Sequence, residues 1–170
     1  MPYFATSLTS LGRAAMLAYE NSNIYKFNHF PAPDISQALS SQFSSAGYLQ
    51  GAAPHVMPPG FEFIAEDYQP DHNYYGIAMR NTATGEIVIA NRGTEGSPID
   101  IAMNKAIAKG DVPLSAGDAL AFAADIAGRP EYANATIINV GDSKGAYEGA
   151  YASAKLTDLA IGSKIGRAHV

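Results

Sequence analysis

A chain of 170 residues has room for one domain, or for one domain and a short arm. With 47% hydrophobic and only 16% charged residues it can bury a core, unlike a disordered chain. Its formal net charge of -5 argues against a nucleic-acid partner, and the absence of cysteine excludes disulfide scaffolds, thiolate-bound zinc and cysteine nucleophiles.

Residues 1–20 lack the basic start and cleavage pattern of a secretory leader, and no apolar run approaches the roughly 18 residues of a membrane span. Localisation is therefore left open. Leu8, Leu11, Ala15, Leu17 and Ala18 recur at near-helical spacing and predict an amphipathic helix over 7–20. From 21 to 60 the texture turns to Ser, Pro and Gly, so 1–60 reads as a helix and an irregular arm, with a short helix over 35–43 behind Asp34. Residues 61–164 read as the core. Strands are predicted over 61–65, 74–79 and 86–90, the last two joined by a hairpin turn at 81–85 that ends in Gly85. The aromatics Phe61, Phe63, Tyr68, Tyr74 and Tyr75 read as strand packing, not as a ligand platform. Helices follow over 100–108 and 115–127, the second with Ser115 as its cap and Asp118 three residues on. After a stop at Gly128-Arg129-Pro130 come a buried strand over 136–140 and an alanine-rich helix over 144–156. Strands alternating with helices imply an α/β sandwich with a partly parallel sheet.

The tail Lys164-Ile165-Gly166-Arg167-Ala168-His169-Val170 is, codon for codon, what a common sequencing-adapter DNA encodes before a stop. Residues 165–170 are accordingly read as a processing scar and the chain as an amino-terminal fragment. His169 then has no claim to a catalytic role.

The chemistry concentrates where the strand 136–140 runs into Gly141-Asp142-Ser143-Lys144-Gly145 and then into a helix. Gly-x-Ser-x-Gly alone is weak, but strand, tight turn and helix in that order form a nucleophile elbow. Such a turn holds its Ser in a strained conformation, needs flanking glycines, and stands the hydroxyl at a helix start that favours negative charge. About fifty residues upstream, the strand ending in Asn91 leads into Arg92-Gly93-Thr94-Glu95-Gly96-Ser97. That is where such a fold supplies its second oxyanion donor.

Together these segments resemble the class 3 lipase group of α/β-hydrolases, in which a strand ends in Arg-Gly-Thr or Arg-Gly-Ser, a helical stretch follows, and the next strand delivers Gly-His-Ser-x-Gly. The resemblance covers residues 74–156. It implies an incomplete lipase-like three-layer α/β-hydrolase sandwich with hairpin strands ahead of the elbow, acting on lipid or ester substrates without a cofactor or metal. It makes Ser143 the nucleophile, Gly141 and Gly145 the elbow glycines, and Thr94 and Lys144 the oxyanion-hole donors. Asp142 stands where the family usually has His, and Lys144 where it commonly has Leu; both side chains are expected to be solvated. The family's acid and base follow its nucleophile, whereas His29, His55 and His72 precede Ser143 and read as surface residues. Asp158 lies too close behind to serve as the acid. The fragment is therefore expected to be inactive by itself.

Two other readings stay open. Val140-Gly141-Asp142-Ser143 also looks like the Gly-Asp-Ser opening of the SGNH esterases, a motif that normally sits on the first strand of its domain. The chain would otherwise be a non-catalytic α/β binding module whose turn cradles an anion at a helix start.

Overall fold

The structure is a computed structural model that describes residues 5–29, 55–158 and 165–167. Its order is α1 (Leu8–His29), β1 (Phe61–Gln69), β2 (Tyr74–Asn81), β3 (Ile87–Asn91), α2 (Pro98–Lys109), α3 (Leu114–Gly128), a 3-10 turn (Pro130–Tyr132), β4 (Ile137–Gly141), α4 (Lys144–Asp158) and β5 (Ile165–Arg167). The predicted helix over 35–43 lies outside the described residues.

The five strands form one sheet in sequence order. β1, β2 and β3 are antiparallel neighbours, whereas β3, β4 and β5 run parallel. The turn at 81–85 closes as a hairpin, with the Gly85 amide on the Asn81 carbonyl and Gly85 at φ 75°. β5 pairs three backbone positions with Ile137, Ile138 and Asn139, so the segment read as a scar forms a short edge strand. A backbone ladder of this kind accepts almost any side chains.

Every residue of β3 and β4 is buried, because helices cover both sheet faces. The pleat divides the side chains between them. Ile77, Met79, Val88, Ala90, Ile138 and Val140 face α1 and pack on Leu11, Ala14, Ala15 and Ala18. Ala78, Ile87, Ile89 and Ile137 face the other way, onto Ala119, Phe122, Ala123 and Ile126 of α3 and Ala152 and Leu156 of α4. The result is a three-layer α/β/α sandwich. Among the described residues no helix is long and apolar enough to cross a membrane.

Two local expectations are corrected. α1 does not stop near residue 20, because Asn21 and Ser22, poor helix formers, are fully buried and bonded to distant chain. Asn21 exchanges two bonds of 2.7 Å with the backbone of Val56, and Ser22 accepts from Arg92. Ser115 does not cap α3. The helix starts one residue earlier after Pro113, with no side-chain cap, and Ser115 is buried inside it. Asp118 instead bonds His72 Nδ1 at 2.7 Å. α2 carries the orthodox signals: Ser97 accepts from the Asp100 amide, Pro98 opens the helix, and Gly110 closes it at φ 85°.

Candidate active site

Parallel pairing aligns the ends of the two buried strands, with Asn91 opposite Gly141. The segments leaving them, Arg92-Gly93-Thr94 and Asp142-Ser143-Lys144, therefore emerge side by side at one edge of the sheet. Contact there is close: a Cβ on Gly93 would stand 2.5 Å from the Asp142 carbonyl oxygen and 2.3 Å from the Tyr19 hydroxyl.

The turn from β4 into α4 is tighter still. A Cβ on Gly141 would meet the Gly145 carbonyl carbon at 2.3 Å, and one on Gly145 would meet the Asn91 carbonyl oxygen at 2.2 Å. Between them Ser143 has φ 52°, a left-handed conformation that costs an L-residue roughly 1–2 kcal/mol. Bonds from the Gly145 amide to the Asp142 carbonyl and from the Ala146 amide to the Ser143 carbonyl lock the turn. Ser143 is exposed while Gly141, Lys144 and Gly145 are buried. The Lys144 amide belongs to the first turn of α4, where a helix has no internal acceptors to offer. Thr94, next to Gly93, is half-buried, and its hydroxyl accepts from Asn104 of α2 at 2.9 Å.

Lys144 overturns the expectation of a solvated side chain. It is 1% exposed, and its Nζ lies 2.9 Å from Glu148 Oε1, 3.3 Å from the Asn73 carbonyl and 3.5 Å from Asp100 Oδ1. Burial pushes the Glu148 carboxyl up to about 7, against the pull of the Lys144 ammonium. Asp142 is also engaged, accepting from the Tyr19 hydroxyl at 3.1 Å. Burial, with that carboxylate beside it, raises the Tyr19 phenol to about 12.

Arg92 is fully buried. Its guanidinium holds the carbonyl and side-chain oxygens of Asn73 at 2.9 and 2.8 Å and pairs with Glu95 at 2.8 Å. These buried charges escaped the sequence reading. The Lys144–Glu148 spacing of four on one helix face was the available signal. Among the described residues the histidines are bonded elsewhere: His29 to the Tyr25 carbonyl, His55 to Glu66 and His72 to Asp118.

No family model matches the chain, and no curated protein matches it. Among solved structures it is similar to a lipase from Rhizopus microsporus var. chinensis, at TM-score 0.45 and 14% identity over 96% of this chain. A second is the nonglycosylated LIP2 lipase of Yarrowia lipolytica, at TM-score 0.44 and 17% identity over 94% of this chain. The chain spans 58% and 57% of the lengths of those two lipases.

Proposed function

We propose that this chain carries the nucleophile half of a serine carboxylic-ester hydrolase of lipase type, built on an α/β-hydrolase core. The observation that carries the reading is the left-handed, exposed Ser143 between two glycines that have no room for a side chain, at the start of α4. Strain of this kind persists only where the surroundings impose it, and it clusters at functional sites. In the proposed reaction the Ser143 hydroxyl attacks an ester carbonyl, and its proton passes to a general base. The oxyanion is held by the amides of Thr94 and Lys144, each worth about 10²–10³ in rate if it matches other oxyanion donors. The base and its acid partner are proposed to come from chain beyond the residues assembled here. Lipid or simple ester substrates remain part of the proposal, and it needs no metal or cofactor.

The SGNH alternative places its motif on the first strand of a domain. Here β4 follows three strands of the same sheet and pairs directly with β3, which favours the lipase-type arrangement.

The test is covalent labelling by a fluorophosphonate probe of the protein encoded when the reading frame is followed past Lys164. Labelling is expected in the wild type and lost in Ser143→Ala. Undiminished labelling of the variant would overturn the assignment.

A further inference from the structure

A buried ion pair is a poor source of net stability, since apolar side chains of similar volume can often replace both partners together at no loss. What a buried charge adds is direction. Lys144 points its ammonium to a place where three parts of the fold meet. These are the β1–β2 turn through the Asn73 carbonyl, the start of α2 through Asp100, and the second turn of α4 through Glu148.

Asp100 extends that reach. Its Oδ2 accepts from the Glu95 amide at 2.9 Å and from Asn73 Nδ2 at 2.8 Å, while its Oδ1 has no hydrogen-bond partner and faces Lys144. Glu95 is the residue after Thr94, and Lys144 is the residue after Ser143. An unbroken series of polar contacts therefore runs from the elbow through one ammonium and one carboxylate to the backbone beside Thr94. Lys144 and Asp100 are buried, whereas Ser143 is exposed. On the α1 side, Tyr19 makes the matching contact between Gly93 and Asp142.

The geometry points to Lys144 as a positioning residue: its side chain, through Asp100, fixes the loop 93–97 relative to the turn that carries Ser143. This inference rests on the ester-hydrolase reading only for its consequence. If Thr94 and Ser143 form one site, the Lys144 side chain sets their separation, and a displacement of about 1 Å in such a site costs on the order of 10²-fold in rate. The Lys144 amide and the Lys144 side chain then have separate roles, one toward the oxyanion and one toward the loop.

The experiment is amide hydrogen exchange followed by mass spectrometry on the whole chain, comparing wild type, Lys144→Met and Lys144→Arg, with thermal melting in parallel. Lys144→Met leaves Asp100 and Glu148 buried without their ammonium, so it is expected to melt below the wild-type temperature and to raise exchange over 93–97 at least about tenfold more than over 87–91. Lys144→Arg is expected to recover part of the protection, because it restores a donor toward Asp100 and Asn73. Should Lys144→Met fail to fold, Asp100→Asn removes the carboxylate charge at constant shape and is expected to loosen the same segment. Wild-type exchange over 93–97 in a folded Lys144→Met chain, or loosening that Arg does not reverse, overturns the inference.

Fluorophosphonate labelling separates this result from the function itself. In the protein read past Lys164, a wild-type Ser143 that does not label defeats the hydrolase reading and leaves the exchange result to judge the positioning role. Labelling that stays at the wild-type rate in Lys144→Met, alongside unchanged exchange, defeats the positioning role and leaves the hydrolase reading standing.

Discussion

Gly145 presses its Cα against the backbone of Asn91: a methyl group there would stand 2.2 Å from the Asn91 carbonyl oxygen and 2.8 Å from its carbonyl carbon. Neither atom ends a flexible side chain, so the clash has no inexpensive relief. Four residues on, Gly149 repeats the approach, with a Cβ position 3.0 Å from Asn91 Nδ2. This stripe lets α4 lie directly on β3 and β4, and it is what brings the Ser143 turn level with the loop at Thr94.

Gly145→Ala is accordingly expected to cost at least about 2–3 kcal/mol, in line with overpacking at a rigid contact. It should also slow any labelling of Ser143, because α4 must back away from the sheet edge. Urea unfolding with the midpoint as readout checks the first part. A Gly117→Ala control, with nothing within 4 Å of its Cβ position, is expected to be neutral or slightly stabilising.

The backbone of Ser143 predicts an opposition between stability and chemistry. At φ 52° both Ser and Ala are strained, whereas Gly is not. Ser143→Gly should therefore be more stable than Ser143→Ala by about 1 kcal/mol, the left-handed strain less the extra entropy of an unfolded Gly. Both lack the hydroxyl and neither should react with a fluorophosphonate. Equal melting temperatures for the two variants would mean that the turn relaxes when the hydroxyl is removed.

Asn91 fixes the strand ends from within. Its Oδ1 accepts from the buried Tyr74 hydroxyl at 3.0 Å, and its Nδ2 donates to the Val140 carbonyl at 3.1 Å, so one side chain ties β2, β3 and β4. Asn91→Ala orphans a buried hydroxyl and is expected to cost about 1–3 kcal/mol for that group alone. Adding Tyr74→Phe removes the orphan, so the double variant should cost less than the sum of the two singles. Additive losses in a double-mutant cycle would show that the two groups do not interact.

Chain order and strand identity were legible because β3 is an apolar run up to Asn91 and β4 is apolar but for Asn139, and the tight turn between β4 and the helix after it was legible from its two glycines. The β2–β3 hairpin was equally plain from the polar 81–85 segment. What stayed hidden depended on contacts far along the chain. Asn21 and Ser22 look like helix breakers until Val56 and Arg92 satisfy them. Ser115 looks like a cap until the helix begins before it. Lys144 looks like a solvated surface charge because nothing local announces that Asp100 and Asn73 will arrive from segments about forty and seventy residues away. Periodicity reads which face is buried, but not which buried position a charge will find company in.

Glu148 makes the buried cluster sensitive to pH. Its carboxyl rises from an ordinary 4.5 to about 7 in the folded chain, chiefly through burial and in spite of Lys144. The folded state therefore binds this proton more tightly than the unfolded state does. The stability that protonation provides is fully present below about 4.5, declines as pH rises toward 7, and is absent above it. Lys144, Ser115 and Arg92 act on the carboxyl in the opposite direction to burial, and the Tyr74 phenol, raised far above its usual range by burial, stays neutral. Glu148→Gln resembles the protonated form and does not titrate. At pH 5 it should exceed the wild type only slightly, and by pH 8 it should be the more stable of the two by on the order of 1–3 kcal/mol. Unfolding free energies of both proteins at half-unit steps from pH 5 to 8 check this through the difference between the curves, which cancels the other carboxylates. A difference that is flat across the window, or that grows toward acid, would mean that Glu148 is held as a carboxylate by Lys144 and that burial is the weaker of the two forces.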